Sequence, residues 1–140
     1  MPSTEVARSR IARDLDATIE CMIDLKRRGV RVLPGGDYGF LWNPHGRNAR
    51  DLEYFVELLG FTPMDAIVAA TKWGGAIMGR AEELGQVRVG FLADLILVDG
   101  DPLRDIGILQ DRDRLIAIMK DGAVHKSPPG GRSRRGHKRE

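Results

Sequence analysis

The sequence has little of what builds disulfides or metal centres. It holds one cysteine, Cys21, and three histidines, His45, His125 and His137, in 140 residues. A single cysteine excludes an internal disulfide and any cysteine-based zinc motif. Free cysteine is among the most buried residue types, so Cys21 is expected as a small core residue on a helix. No apolar run reaches the ~18 residues that a transmembrane helix needs. Met1–Arg13 is polar and mixed, without the charged-then-apolar order of a secretory signal, so the expected location is the cytoplasm.

A strong excess of one charge is also missing, until the chain is divided. Its net charge is +2. Five of the 22 basic residues (Arg132, Arg134, Arg135, Lys138 and Arg139) and one of the 20 acidic residues (Glu140) fall in 127–140, so the other 17 basic and 19 acidic residues leave the rest mildly acidic. The tail has no apolar residue larger than proline. It cannot bury enough surface to offset its ordering entropy, and a disordered basic extension is expected. Without an aromatic residue on which bases stack, nucleic acid is not an expected partner.

What is present fits one domain by length, with 42% hydrophobic residues for an ordinary core. Ile11, Leu15, Ile19, Met22 and Lys26 recur at helical spacing and predict a helix over 4–28. Lys26–Arg28 suits the C-terminal dipole of that helix, and Gly29 supplies a left-handed stop. Val30–Leu33 reads as a short buried strand after a very tight loop. Residues 38–48 form a loop punctuated by Gly39, Pro44 and Gly46. Its large and aromatic side chains suit a pocket wall, with Trp42 read as packing. A second helix is expected over 49–59.

Thr62-Pro63-Met64-Asp65 opens a third helix with an N-cap, a first-turn proline and a capping-box acid. It runs to about Met78, with Met64 and Met78 as core fillers. Gly74 and Gly75 weaken it by roughly 1 kcal/mol each relative to alanine, which predicts close approach of another backbone. From Gly85 the period changes. Gln86–Val89, Ala93–Val98, Leu115–Lys120 and Ala123–Lys126 read as strands, and Asp121-Gly122 is a tight-hairpin signal. The chain thus divides into a helical unit over 1–85, a stranded unit over 86–126 and the tail over 127–140.

Chemistry points to one residue. Asp37 stands at the C-terminal end of the expected Val30–Leu33 strand, among Gly35, Gly36 and Gly39. In α/β proteins loops converge on that face and collect the reacting groups. Arg47, Arg50 and Asp51 read as a solvated face. Asp94 and Asp99 read as turn and strand-end residues that bond nearby backbone, and His125 as an exposed hairpin residue.

Four stretches carry a family resemblance: Gly29–Asp37 (GVRVLPGGD), Pro44–Glu53 (PHGRNARDLE), Phe61–Thr71 (FTPMDAIVAAT) and Leu84–Pro102 (LGQVRVGFLADLILVDGDP). Together they resemble the C-terminal part of the amidohydrolase superfamily, most closely its imidazolonepropionase-like and prolidase-like metal-dependent hydrolases. The resemblance covers about residues 5–126. It implies an α/β fold, the last helix–strand–helix units of a (β/α)8 TIM-type barrel with Val30–Leu33 as the eighth strand. Residues 86–126 would be the C-terminal share of a small β-sandwich. The implied reaction is hydrolysis of a C–N bond in a small amide, cyclic amide or dipeptide-like substrate. The implied cofactor is a divalent metal, zinc, one or two ions in the complete enzyme.

Asp37 matches the family's strand-eight aspartate. In the family that residue contacts a metal, takes the proton from metal-bound water and hands it to the leaving nitrogen. Tyr38 and His45 are the candidates for substrate binding; packing and a loop-fixing hydrogen bond are their alternatives. The family's other ligands are a His-x-His, a bridging carboxylate or carboxylated lysine, and single histidines on two further strands. They have no counterpart here, and a barrel takes about 250 residues. The expectation is a truncated product, a fragment, or a split subunit completed by a companion chain that carries the rest of the barrel. The alternative is a non-catalytic interaction module whose sheet and helices dock on a partner, with the basic tail adding attraction.

Overall fold

The computed structural model describes residues 4–128. The chain begins with helix α1 (Thr4–Arg27), then α2 (Arg50–Glu57) and α3 (Pro63–Val68). A π-helical turn over Ala69–Trp73 leads into α4 (Gly74–Ile77). Strands β1 (Leu95–Val98), β2 (Leu115–Lys120) and β3 (Ala123–Lys126) form one antiparallel sheet in that order. A 3-10 helix over Ile106–Gln110 joins β1 to β2. The described residues therefore make a partial α/β structure with a single three-stranded sheet.

Helix ends follow the sequence signals closely. Gly29 takes φ 79°, and the Gly29 and Val30 amides donate to the Lys26 and Leu25 carbonyls, both at 3.0 Å. That pair of bonds is a Schellman stop, with glycine at the left-handed position. At α3 the Thr62 hydroxyl accepts from the Asp65 amide at 3.1 Å. The Asp65 carboxylate accepts in return from the Thr62 amide at 3.2 Å. These bonds hold the Asp65 carboxyl below its usual range, with a smaller pull from Lys26.

The core is small. Leu52, Phe55, Phe61, Ala66, Ala69 and Ile106 are buried together, flanked by Val32, Val56, Leu59 and Trp73. The Phe55 and Phe61 rings meet at 4.8 Å and 52°. Lys26 sits 4.4 Å above the Phe61 ring and donates to the Gly60 carbonyl. The end of α1, the end of α2 and the start of α3 thus converge on Phe61. A side chain at Gly75 would come 2.8 Å from the Leu84 carbonyl. One at Gly85, where φ is 81°, would come 2.1 Å from the Thr71 carbonyl. The close approach expected at Gly74-Gly75 is therefore made, by Leu84 against Gly75.

The hairpin signal also holds. Asp121 and Gly122 both have positive φ, 50° and 75°, and Lys120 pairs with Ala123, the geometry of a two-residue primed turn. Asp94 clamps it, accepting from Lys120 Nζ at 2.5 Å and from the Asp121 amide at 2.7 Å. Its carboxyl is held below the usual range, first by Lys120. Asp94 is structural, as its position in a turn suggests.

Other expectations fail. Val30–Leu33 is not a strand, because no described segment pairs with it and a strand's amides need a partner. Gln86–Val89 is not a strand either, and Val87 and Val89 are 89% and 100% exposed. β1 starts at Leu95 rather than Ala93. Cys21 is exposed rather than in the core. Ile11 and Leu15 on the expected inner face of α1 are exposed, as are Met64 and Met78. The expected disordered tail lies outside the described residues beyond Pro128.

Two substitutions rank the local constraints. Thr62→Ala should lower stability by about 1 kcal/mol through the lost cap, read as a shifted urea midpoint. Gly85→Ala should cost distinctly more, because its methyl group meets backbone. The reverse order would contradict the packing of Gly85 on Thr71.

Candidate active site

Asp37 occupies a left-handed conformation, φ 49°, which few side chains other than Asp and Asn adopt readily. The loop around it is tied down on both sides. The Asn43 side-chain amide donates to the Gly36 carbonyl and reaches the Asp37 carbonyl at 3.4 Å. The Gly39 amide donates to the Asn43 carbonyl at 2.9 Å, and the Asn43 amide to the Phe40 carbonyl at 3.0 Å. On the other side the Tyr38 hydroxyl donates to Asp51 Oδ1 at 2.6 Å. Gly36 lies under this pair, and a side chain there would come 2.7 Å from the Tyr38 ring and 2.9 Å from Asp51. Glycine at 36 is what lets the tyrosine cross to α2.

These residues open on a recess of about 610 Å³, lined by Asp37, Tyr38, Phe40, Trp42, Arg50 and Asp51 among others. Trp42 is 82% exposed, not packed in the core as its size suggests. It stacks on Phe40 with ring centroids 5.4 Å apart and planes 8° from parallel. Arg50 lies over the Tyr54 ring at 5.0 Å. Asp51, read from sequence as part of a solvated face, is half-buried. The Tyr38 phenol is pushed up to about 12 from its ordinary 10.0, first by burial, then by the bond to Asp51 and that carboxylate's charge.

The structure brings Asp37 and Tyr38 to one recess and places His45 at another. His45 lies against Gly39, with Nε2 3.1 Å from where a side chain would start. It lines a neighbouring recess with Arg47, Arg112 and Leu115, and no hydrogen bond joins it to Asp37. His125 is exposed on β3. Asn43 and Asp51 escape sequence reasoning. Asp51 looks like an ordinary helix-start acid, and only the return of the loop brings it to Tyr38.

A metal is a poor fit to these residues alone. Among the described residues no three His, Cys, Asp or Glu side chains cluster to hold an ion. A catalytic zinc takes three protein ligands as a rule, and Asp37 supplies one.

The sequence profile described as the amidohydrolase family matches residues 5–125. The chain belongs to the amidohydrolase family. Members of this family are generally metal-dependent. The amidohydrolase chain is 35% identical over 103 residues to ochratoxinase of Aspergillus niger, covering 73% of this chain and 21% of that protein. It is 35% identical over 72 residues to imidazolonepropionase of Rubrobacter xylanophilus, covering 51% of this chain and 17% of that one. A crystal structure of a Xaa-Pro dipeptidase with methionine bound in its active site superposes with a TM-score of 0.70 at 31% identity, over 78% of this chain and 25% of the other. The A. niger ochratoxinase structure gives 0.71 at 30% identity, over 81% and 25%. This chain therefore spans about a fifth of the length of the curated relatives it matches. No described helix is long and apolar enough to cross a membrane.

Tyr38 supplies a pH test. Folding favours its protonated form, so its contribution is complete below the unfolded value near 10.0 and is lost as pH rises through about 12. Phenolate absorbance, with Tyr38→Phe as the blank, should show this late transition. Asp51→Asn should bring it down without reaching the ordinary value, because burial remains. An unmoved transition would break the Tyr38–Asp51 assignment.

Proposed function

We propose that the chain is the C-terminal part of a metal-dependent amidohydrolase that hydrolyses the C–N bond of a small amide, cyclic amide or dipeptide-like substrate. The observation that carries this reading is Asp37, a carboxylate held in a left-handed turn at the wall of a recess in a chain matched by the family from 5 to 125. Asp37 takes the proton of the attacking water and returns it to the leaving nitrogen. Tyr38 and His45 face the substrate from two adjoining recesses. Zinc is the metal of this reading, and ligands beyond Asp37 come from polypeptide outside the chain, in cis or as a companion.

Exposed surface supports an incomplete body. The chain exposes 11254 Å², whereas a compact monomer of 15.5 kDa exposes roughly 7,200 Å². Counting every residue outside 4–128 as fully extended accounts for only about 2,400 Å² of that surface. The remainder lies on features such as β1, an edge strand with Leu95, Ile96 and Leu97 exposed. In this reading Val30–Leu33 is the eighth strand of a (β/α)8 barrel, unpaired for want of its neighbours. Residues 1–85 are the barrel portion, and 86–126 are one share of a β-sandwich. No specific observation favours a free-standing interaction module.

The test is hydrolysis of N-acyl amino acids and dipeptides by the chain, alone and with the polypeptide encoded directly upstream, in the presence of zinc. Activity should appear only in the completed protein. There, Asp37→Asn should lower kcat by about 10²–10⁴-fold. An inert completed protein, or an Asp37→Asn variant with normal turnover, would overturn the reading.

A further inference from the structure

The recess that His45 lines carries one sign of charge. Arg47, Arg50 and Arg112 open on it beside His45, and no aspartate or glutamate does. Arg50 also lines the recess of Asp37 and Asp51, so Arg47 and Arg112 are the cations that distinguish this space from that one. Neither enters an ion pair among the described residues. Asp111, next to Arg112 in sequence, pairs instead with Arg114 at 3.7 Å and accepts from the Asp113 amide at 2.9 Å. Neither Asp111 nor Asp113 lines the recess.

Two separate stretches of chain build the site. Arg47 precedes α2, and its carbonyl accepts from the Tyr38 hydroxyl at 3.2 Å and from the Arg50 amide at 2.9 Å. Arg112 belongs to the turn before β2, where its carbonyl accepts from Lys126 Nζ at 2.7 Å. The Arg112 side chain reaches back over Gly46, which has φ 88°. A side chain at 46 would start 2.9 Å from Arg112 Nη2. Glycine there admits the guanidinium to the loop that carries His45 and Arg47. Ile96 of β1 and Leu115 of β2 add apolar lining. The volume of about 950 Å³ is within the usual range for small-molecule sites.

A cleft lined by one sign of charge concentrates counter-ions. Guanidinium forks match phosphate oxygens two at a time, so a dianion gains from meeting more than one of them. We propose that this recess binds a small phosphate monoester, its dianionic phosphate held between Arg47 and Arg112 and its organic part on Ile96 and Leu115. Binding is noncovalent and breaks no bond. Asp37 does not line this recess, so this binding is independent of the amide hydrolysis above.

Ligand-observed NMR titration of the full 140-residue chain tests it with n-butyl phosphate, inorganic phosphate and pentanoate. The titrations are run near pH ~8, where the ester is a dianion, and in about 150 mM salt, which screens loose charge attraction. n-Butyl phosphate should bind saturably. It should bind about tenfold more tightly than pentanoate, which keeps the alkyl chain and lacks the dianion. It should bind about threefold more tightly than inorganic phosphate, which lacks the alkyl chain. Arg47→Gln and Arg112→Gln should each weaken it about fivefold. Both residues are exposed, so far-UV circular dichroism should show the fold retained. Replacing Arg134 and Arg135 of the basic tail together by glutamine should leave the affinity unchanged. No saturable binding, equal affinity for pentanoate, or unchanged affinity in both the Arg47 and Arg112 variants would overturn the proposal. Loss of binding in the tail variant would also overturn it and assign the phosphate to the tail. Equal affinity for n-butyl and inorganic phosphate would overturn the ester and leave a site for free phosphate.

Discussion

The contact between Phe55 and Phe61, roofed by Lys26, is the constraint on which the rest of the molecule depends. Phe55 lies on α2 and Phe61 immediately before the Thr62 cap of α3, so their tilted contact sets how α2 meets α3. Lys26 adds the end of α1 by lying over the same ring and bonding the Gly60 carbonyl. An ammonium group over a ring is a modest attraction by itself. Here it works together with burial of both rings. In a core of so few buried side chains, that junction carries a large share of the packing.

The candidate site inherits its geometry from this junction through α2. Phe55 fixes α2 in the core, and one turn earlier Asp51 presents its carboxylate to Tyr38. Tyr38 adjoins Asp37, so the left-handed residue is held from the helix side by a phenol and from the loop side by the Asn43 amide. The site consequently has an ordered wall and an open front. Asp37 and Asp51 both line the recess, and no group of three metal-holding side chains forms among the described residues.

Legibility followed the range of the interactions. The Schellman stop at Gly29, the capping box at Thr62 and the primed turn at Asp121-Gly122 were all readable, because each is closed by bonds between residues a few positions apart. The Gly75 close approach was readable as a need, though not as Leu84. The misses share another cause. Val30–Leu33, Gln86–Val89, Cys21 and the inner face of α1 carry the pattern of buried segments, and that pattern does not say which segment, if any, will lie against them. Trp42 was misplaced for a related reason, since its size suggests a core and its turn leaves it outside.

By itself the sequence determined the family, the local helix stops and turns, and the identity of Asp37 as the candidate reacting group. Those rest on motif order and on short-range bonding, which the chain carries wherever it goes. Only the tertiary structure decided that Asp51 and Asn43 brace Asp37, that His45 turns to a different recess, and that Phe40, Trp42 and Arg50 share the space in front of the aspartate. Such groupings come from the crossing of a loop over α2, and no spacing along the chain encodes where that crossing falls.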